Sequence, residues 1–188
     1  MGVNLIKGQK VDLTKGNASL TKLIVGLGWD VNSRGNSVDC DASALMLGTD
    51  GKLSTTKSII YFGNKTSNCK SVVHQGDNLT GAGEGDDEQI VIDLSKVPEN
   101  IAKIVFVVNI YNCVSKGQHF GMIKNAFIRI VDKSTNNELI KFNLSDDYNN
   151  MTSLIMGEVY RNKGDWKFTA TGEGSTAHSI SELSERYK

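Results

Sequence analysis

Short apolar runs recur along the chain with turn-forming residues between them. They are LTKLIVGLGW (20–29), DASALML (41–47), SIIYF (58–62), QIVIDL (89–94), KIVFVVNIY (103–111), NAFIRIVD (125–132) and NELIKFNL (137–144). Their length and their Val, Ile, Phe and Tyr content suit a pleated, half-buried surface better than a helix, so they read as strands. The connections GTDGK (48–52), KSTNN (133–137) and NKGD (162–165) read as hairpin turns, the first through its Asp-Gly pair. Hairpins imply antiparallel pairing. About ten strands at this spacing fit two packed sheets better than one open sheet, which would leave a wide apolar face in water. The expectation is an all-β fold, a β-sandwich of two antiparallel sheets. With one proline and no Ser/Pro-rich linker, residues 1–188 read as a single domain.

Two stretches depart from the strand rhythm. Val97-Pro98-Glu99-Asn100-Ile101-Ala102 reads as a helical turn or tight bend. The closing STAHSISELSERYK can form a short C-terminal amphipathic helix with Ile180, Leu183 and Tyr187 on one side. Trp29, Trp166, Phe120 and Phe127 are expected in the sandwich core.

Composition excludes more than it selects. Lys plus Arg and Asp plus Glu both total 21, so net charge points to neither nucleic acid nor an anionic membrane as a partner. Cys40, Cys69 and Cys113 are odd in number and widely spaced, which supports neither a disulfide framework nor a structural zinc site. The opening MGVNLIKGQKVDLTKG has no uninterrupted apolar stretch of the signal-peptide kind, and no run of 18 apolar residues occurs, so a cytoplasmic protein without direct membrane insertion is expected.

The charge is unevenly distributed. From Ser71 to Ser95 there is no Lys or Arg, while Asp77, Glu84, Asp86, Asp87, Glu88 and Asp93 fall in that segment. Its centre, HQGDNLTGAGEGDDEQ (74–89), resembles half of a glycine-rich phosphate loop. A phosphate loop needs a following Lys or a helix N-terminus, however, and this stretch runs into acids and a strand. An EF-hand fails as well, because Leu79, Gly81 and Ala82 stand where that loop requires two oxygen side chains and then glycine. A helix-free calcium loop satisfies the chemistry: Asp77, Asn78, Thr80, Asp86, Asp87 and Glu88 supply hard oxygen donors, and the glycines allow sharp turns. The competing reading is a solvated acidic turn.

A second acidic pair favours the cation. Asp39 and Asp41 are two apart on a strand and so share one face, which Leu45 and Leu47 continue. Carboxylates on a core-side face make sense at its end, on the rim of the sandwich. Asp30 leaves the preceding strand near the same rim. Cys40, between the two acids, points to the opposite face as a small core residue. His74 reads as a polar strand-end histidine, with no second His or Cys at ligand spacing.

The segments GWDVN, DCDASALML, HQGDNLTGAGEGDDEQIVIDLSKVP, GQHFGMIKNAFIRIVD, NELIKFNL and GEVYRNKGDWKFTATGEG run in order over nearly the whole chain. Through them the sequence closely resembles the TerD family of tellurium-resistance and stress-response proteins. The resemblance implies a calcium-binding β-sandwich somewhat similar to a C2 domain. Carried over by position, it implies Asp39, Asp41, Asp77, Asn78, Asp86, Asp87 and Glu88 as calcium ligands, with Asp30 a weaker addition. It also implies related stress proteins of the same family as partners, with assembly at the inner face of the membrane one form of that association. The chain departs from the family at Tyr111-Asn112-Cys113-Val114, where a His and further acids are usual, and after GEG near its end.

Three functions compete at this point. The first is a non-enzymatic calcium-binding stress-response protein whose filled loops change stability or partner affinity. The second is a Mg²⁺-dependent enzyme of phosphoryl chemistry built on Asp86 and Asp87, which lacks a nearby basic residue to stabilise phosphate charge. The third is a scaffold subunit of a membrane-associated stress complex. No catalytic residue is assigned.

Overall fold

The computed structural model describes residues 2–31, 38–76, 85–144 and 146–188. Twelve strands are present among them: β1 (Val3–Leu5), β2 (Lys10–Asp12), β3 (Lys22–Val31), β4 (Cys40–Gly48), β5 (Ile59–Ile60), β6 (Val72–His74), β7 (Glu88–Asp93), β8 (Ile101–Ile110), β9 (Ile123–Asp132), β10 (Asn137–Asn143), β11 (Ser153–Asn162) and β12 (Asp165–Ser175). Two short helices are α1 (Cys113–Lys116) and α2 (Ile180–Ser184). No helix among the described residues is long and apolar enough to cross a membrane.

The strands form two six-stranded sheets, in the orders β1-β10-β9-β3-β7-β6 and β2-β12-β11-β8-β4-β5. Every pairing is antiparallel except β1 with β10, which is parallel. The turns follow the sequence. Lys163 and Gly164 both take positive φ (52° and 89°) between β11 and β12, the backbone that a two-residue primed turn requires. The Pro98 carbonyl accepts from Ile101 N at 3.0 Å, closing the expected bend before β8.

Alternation places Leu23, Val25, Leu27, Ile90, Ile92, Ile128 and Ile130 of the first sheet against Cys40, Ala42, Ala44, Phe106 and Phe168 of the second. Cys40 is buried there, as its position between two acids implies. Leu45 and Leu47 do not continue this inter-sheet face. With Val105, Val107 and Ile155 they line the outer side of the second sheet, where Leu183, Ile180 and Tyr187 of the C-terminal helical segment cover them. The acids Asp39 and Asp41 therefore belong to the outer face of the second sheet, a correction to the core-side placement. The C-terminal helix explains why that outer face is apolar at all.

Trp29, Trp166 and Phe120 are buried as expected. Phe127 is only half-buried, because Ala126 and Ile128 take the inward positions of β9. Its ring lies on the outer face over Gly28, where a Cβ would come within 2.4 Å of it, with Lys141 Nζ 4.2 Å from its centroid.

Candidate functional site at the acidic end of the sandwich

Four chain segments meet at one end of the molecule: the end of β3, the start of β4, the end of β6 and the start of β7. Register explains the meeting, since Leu27 pairs with Glu88 and His74 with Ile90 within the first sheet. Glu88 opens β7 on the inward side and reaches across the sandwich. Its Oε2 accepts from Ala42 N of β4 at 2.6 Å and lies 3.2 Å from His74 Nε2. Both side chains are fully buried. His74 is thus a buried partner of a carboxylate rather than a polar strand end, and Glu88 ties one sheet to the other.

Asp87 immediately precedes β7. Its N–H donates to Leu27 O at 2.9 Å, and its Oδ2 accepts from Trp29 N at 2.7 Å. Burial pushes its carboxyl above the usual range, the Trp29 N–H opposes that shift, and the charges of Asp30 and Asp86 add to it. Asp30 accepts from Asn125 Nδ2 at 2.6 Å.

Asp86 turns the other way. It grips Arg129 in a two-pronged pair, Nε to Oδ1 at 2.6 Å and Nη2 to Oδ2 at 3.0 Å, and also accepts from Gln89 Nε2 at 3.0 Å. Gly26 makes room for it, since a Cβ there would stand 2.2 Å from Asp86 Oδ2. The Asp86 bond holds the Arg129 guanidinium above its ordinary pKa, with Glu138 contributing. That geometry is an ion pair on the outer face of the first sheet.

The remaining acids lie near enough to Cys40 for their charges to act on it. Burial pushes its thiol well up, and the negative charges of Asp41, Asp39, Glu88 and Asp87, in that order, push it further. Asp41 and Asp39 lie on the outer face of the second sheet, Glu88 points inward and Asp87 bonds to Trp29, so these acids share one end of the sandwich, while Asp86 is directed to Arg129. Asp77 and Asn78 lie outside the described residues. Among those described, no three His, Cys, Asp or Glu side chains close tightly enough to hold a metal ion. The donor set, all carboxylate oxygen, has the chemistry of a hard-cation site, but these residues alone do not complete one.

A model of the TerD domain matches residues 1–187. The chain belongs to the TerD family. It is 54% identical over 199 residues to stress response protein SCP2 of Bacillus subtilis (strain 168), covering 100% of both chains. It is 43% identical over 175 residues to the tellurium resistance protein TerD of Serratia marcescens, covering 93% of this chain and 91% of that one. The fold resembles the crystal structure of a homologue of the telluride resistance protein TerD from Streptomyces coelicolor A3(2), with a TM-score of 0.69, 21% identity, and 90% and 98% of the two chains covered.

Sequence reasoning missed Arg129, His74 and Asn125 as partners of the acids. Arg129 was within reach of inspection: on β9 it alternates with the inward Ile128 and Ile130, so it had to face outward over Gly26, its cross-strand neighbour.

Proposed function

We propose that this TerD-family protein is a calcium-binding stress-response protein of the cytoplasm, without catalytic activity. The observation that carries the reading is the acidic end of the sandwich, where Glu88 bonds to Ala42 N next to Asp41 and Asp87 bonds to Trp29 N next to Asp30, with Asp77 and Asn78 falling between β6 and β7 in the sequence. Asp39, Asp41 and Asp87 would hold the ion together with Asp77 and Asn78. Glu88, already bonded to Ala42 N, would fix the β4 and β7 segments that present them. A bound divalent cation would supply positive charge to a set of carboxylates that otherwise repel one another. The relatives' names support a role in stress or tellurium resistance, and proteins of the same family are the proposed partners. Arg129, the kind of group that would stabilise phosphate charge in an enzyme, is committed to Asp86 and Glu138, which favours binding over phosphoryl chemistry.

Terbium luminescence tests the reading, because Trp29 adjoins Asp87 and can sensitise a lanthanide held there. Tb³⁺ emission excited through tryptophan should appear, be displaced by calcium in preference to magnesium, and fall sharply in Trp29→Phe and Asp41→Ala. Emission that is absent, or that magnesium displaces as readily as calcium, overturns it.

A further inference from the structure

The outer face of the second sheet holds a recess of about 340 Å³, which lies within the size range of small-ligand sites. Its floor comes from β4 and β8, where Asp41 and Asn109 are directly paired across the strands and Ser43 is the next residue outward along β4. Its walls are Tyr61, Phe62 and Tyr111, and His178 stands at the rim before α2. Two observations separate this recess from an ordinary surface dent. Asn109 is 6% and Ser43 1% exposed, and Asn109 Oδ1 and Ser43 Oγ have no hydrogen-bond partner among the described residues. Burying such groups without partners is costly, and both belong to residues that line this recess, which marks it as a place where a bound donor could satisfy them. Meanwhile Tyr111 is 51% and Phe62 39% exposed beside them. Residues 105 and 107 of the same strand face are valines, so an apolar side chain at 109 would have completed the pattern.

We infer that this recess binds an organic cation, an alkylammonium or guanidinium group on a short carbon stem. Asn109 Oδ1 and Ser43 Oγ accept from its N–H groups, the Asp41 carboxylate supplies opposite charge, and the aromatic walls take the stem and attract the cation through their ring faces. Tyr111 already draws an ammonium of the chain itself, with Lys116 Nζ 5.9 Å from its ring centroid. This inference does not depend on calcium binding. Asp41 is the one residue the two share.

The test is calorimetric titration of the full chain with butylammonium, with butanol as the uncharged control, in chelator and again in calcium. Saturable butylammonium binding in chelator, at least about tenfold tighter than butanol, is expected. Nα-acetyl-lysine methylamide tells a free amine from a lysine side chain of another protein: tighter binding than butylammonium assigns the pocket to a side chain, and weaker binding assigns it to a free amine. Asn109→Val should abolish binding and at the same time raise the melting temperature of the ligand-free protein, an outcome opposite to that of a structural asparagine. Tyr111→Ala, at an exposed position, should weaken butylammonium about tenfold without affecting folding. No saturable binding by any amine, or binding unchanged in Asn109→Val and Tyr111→Ala, overturns the inference. Calcium binding by the same preparations is unaffected by that failure, so the two readings fall separately.

Discussion

At the end of the first sheet where β3 begins, Asp132 accepts from Ser134 N at 2.8 Å and Oγ at 2.6 Å, and Asp93 accepts from Ser95 Oγ at 2.6 Å with Lys96 and Lys22 nearby. The Ser134 bonds hold Asp132 below the usual carboxylate range. At Asp93 burial opposes, but Ser95, Lys96 and Lys22 prevail and lower it too. At the other end of the same strands burial dominates, and Asp87 moves the opposite way. One residue type thus shifts in two directions within one sheet. The difference is in what the fold supplies locally: hydroxyls and ammonium groups at one end, mostly other carboxylates at the other. The first arrangement is complete as it stands. On the proposed function, the second would gain from a cation.

The largest expected effect tests whether Glu88 is part of the frame rather than of the exchangeable site. Glu88→Ala leaves Ala42 N and His74 Nε2 buried without their shared partner, at a cost of about 3–5 kcal/mol for the two orphaned groups together. A fall in melting temperature of about 6–20 °C, with or without calcium, should follow in a chain of this length. A loss that appears only in calcium would move Glu88 from the frame to the ligands.

Next in size, Asp132→Ala at the settled end should cost about 1–2 kcal/mol at neutral pH, read by urea denaturation. Because the folded-state pKa of Asp132 lies below its unfolded value of about 4, the unfolded chain takes up the proton first as pH falls. The contribution is present above pH of about 4 and is lost as pH drops through the folded pKa, so wild type and Asp132→Ala should converge in acid. A constant gap down to low pH would remove the carboxylate from the explanation.

The smallest effect has the reverse sign. Asp87 has a raised folded-state pKa, so the folded chain keeps a proton where the unfolded chain has lost it, and the ionised group costs stability at neutral pH. Asp87→Asn can still accept from Trp29 N. It should raise the melting temperature in chelator by about 1–3 °C while reducing the gain from calcium. A lower melting temperature in chelator would make the two ends alike.

Much of this was legible in the chain because alternation is a strong signal in long strands. The runs at 20–29, 41–47, 103–111 and 125–132 became β3, β4, β8 and β9 with ends shifted by a few residues. β1, β2 and β6 were missed because three residues carry too little pattern to stand out, and the long β11 and β12 were implied only by the NKGD turn between them, because glycines and polar residues dilute their apolar runs. The outer position of Asp39 and Asp41 was hidden for another reason. Leu45 and Leu47 look like inter-sheet core until it is known that Leu183 and Ile180 cover them, and which apolar face a distant helix covers is a tertiary fact. The acids of the site were visible as a composition anomaly, whereas the departure of Asp86 to Arg129 depends on the β3–β9 register and on the missing Cβ of Gly26.

The central claim, that the acidic end gains stability from a bound divalent cation, is tested most directly by thermal melting in chelator, magnesium and calcium. Calcium at a hundredfold excess over its Kd should add about 2.7 kcal/mol, a rise of about 5–10 °C. Magnesium should give clearly less. Asp41→Ala should lose most of the rise, and Glu173→Ala, whose carboxylate pairs with Arg186 on the surface, should keep it. A melting temperature that calcium raises no more than magnesium does, or a rise that survives Asp41→Ala intact, contradicts the account.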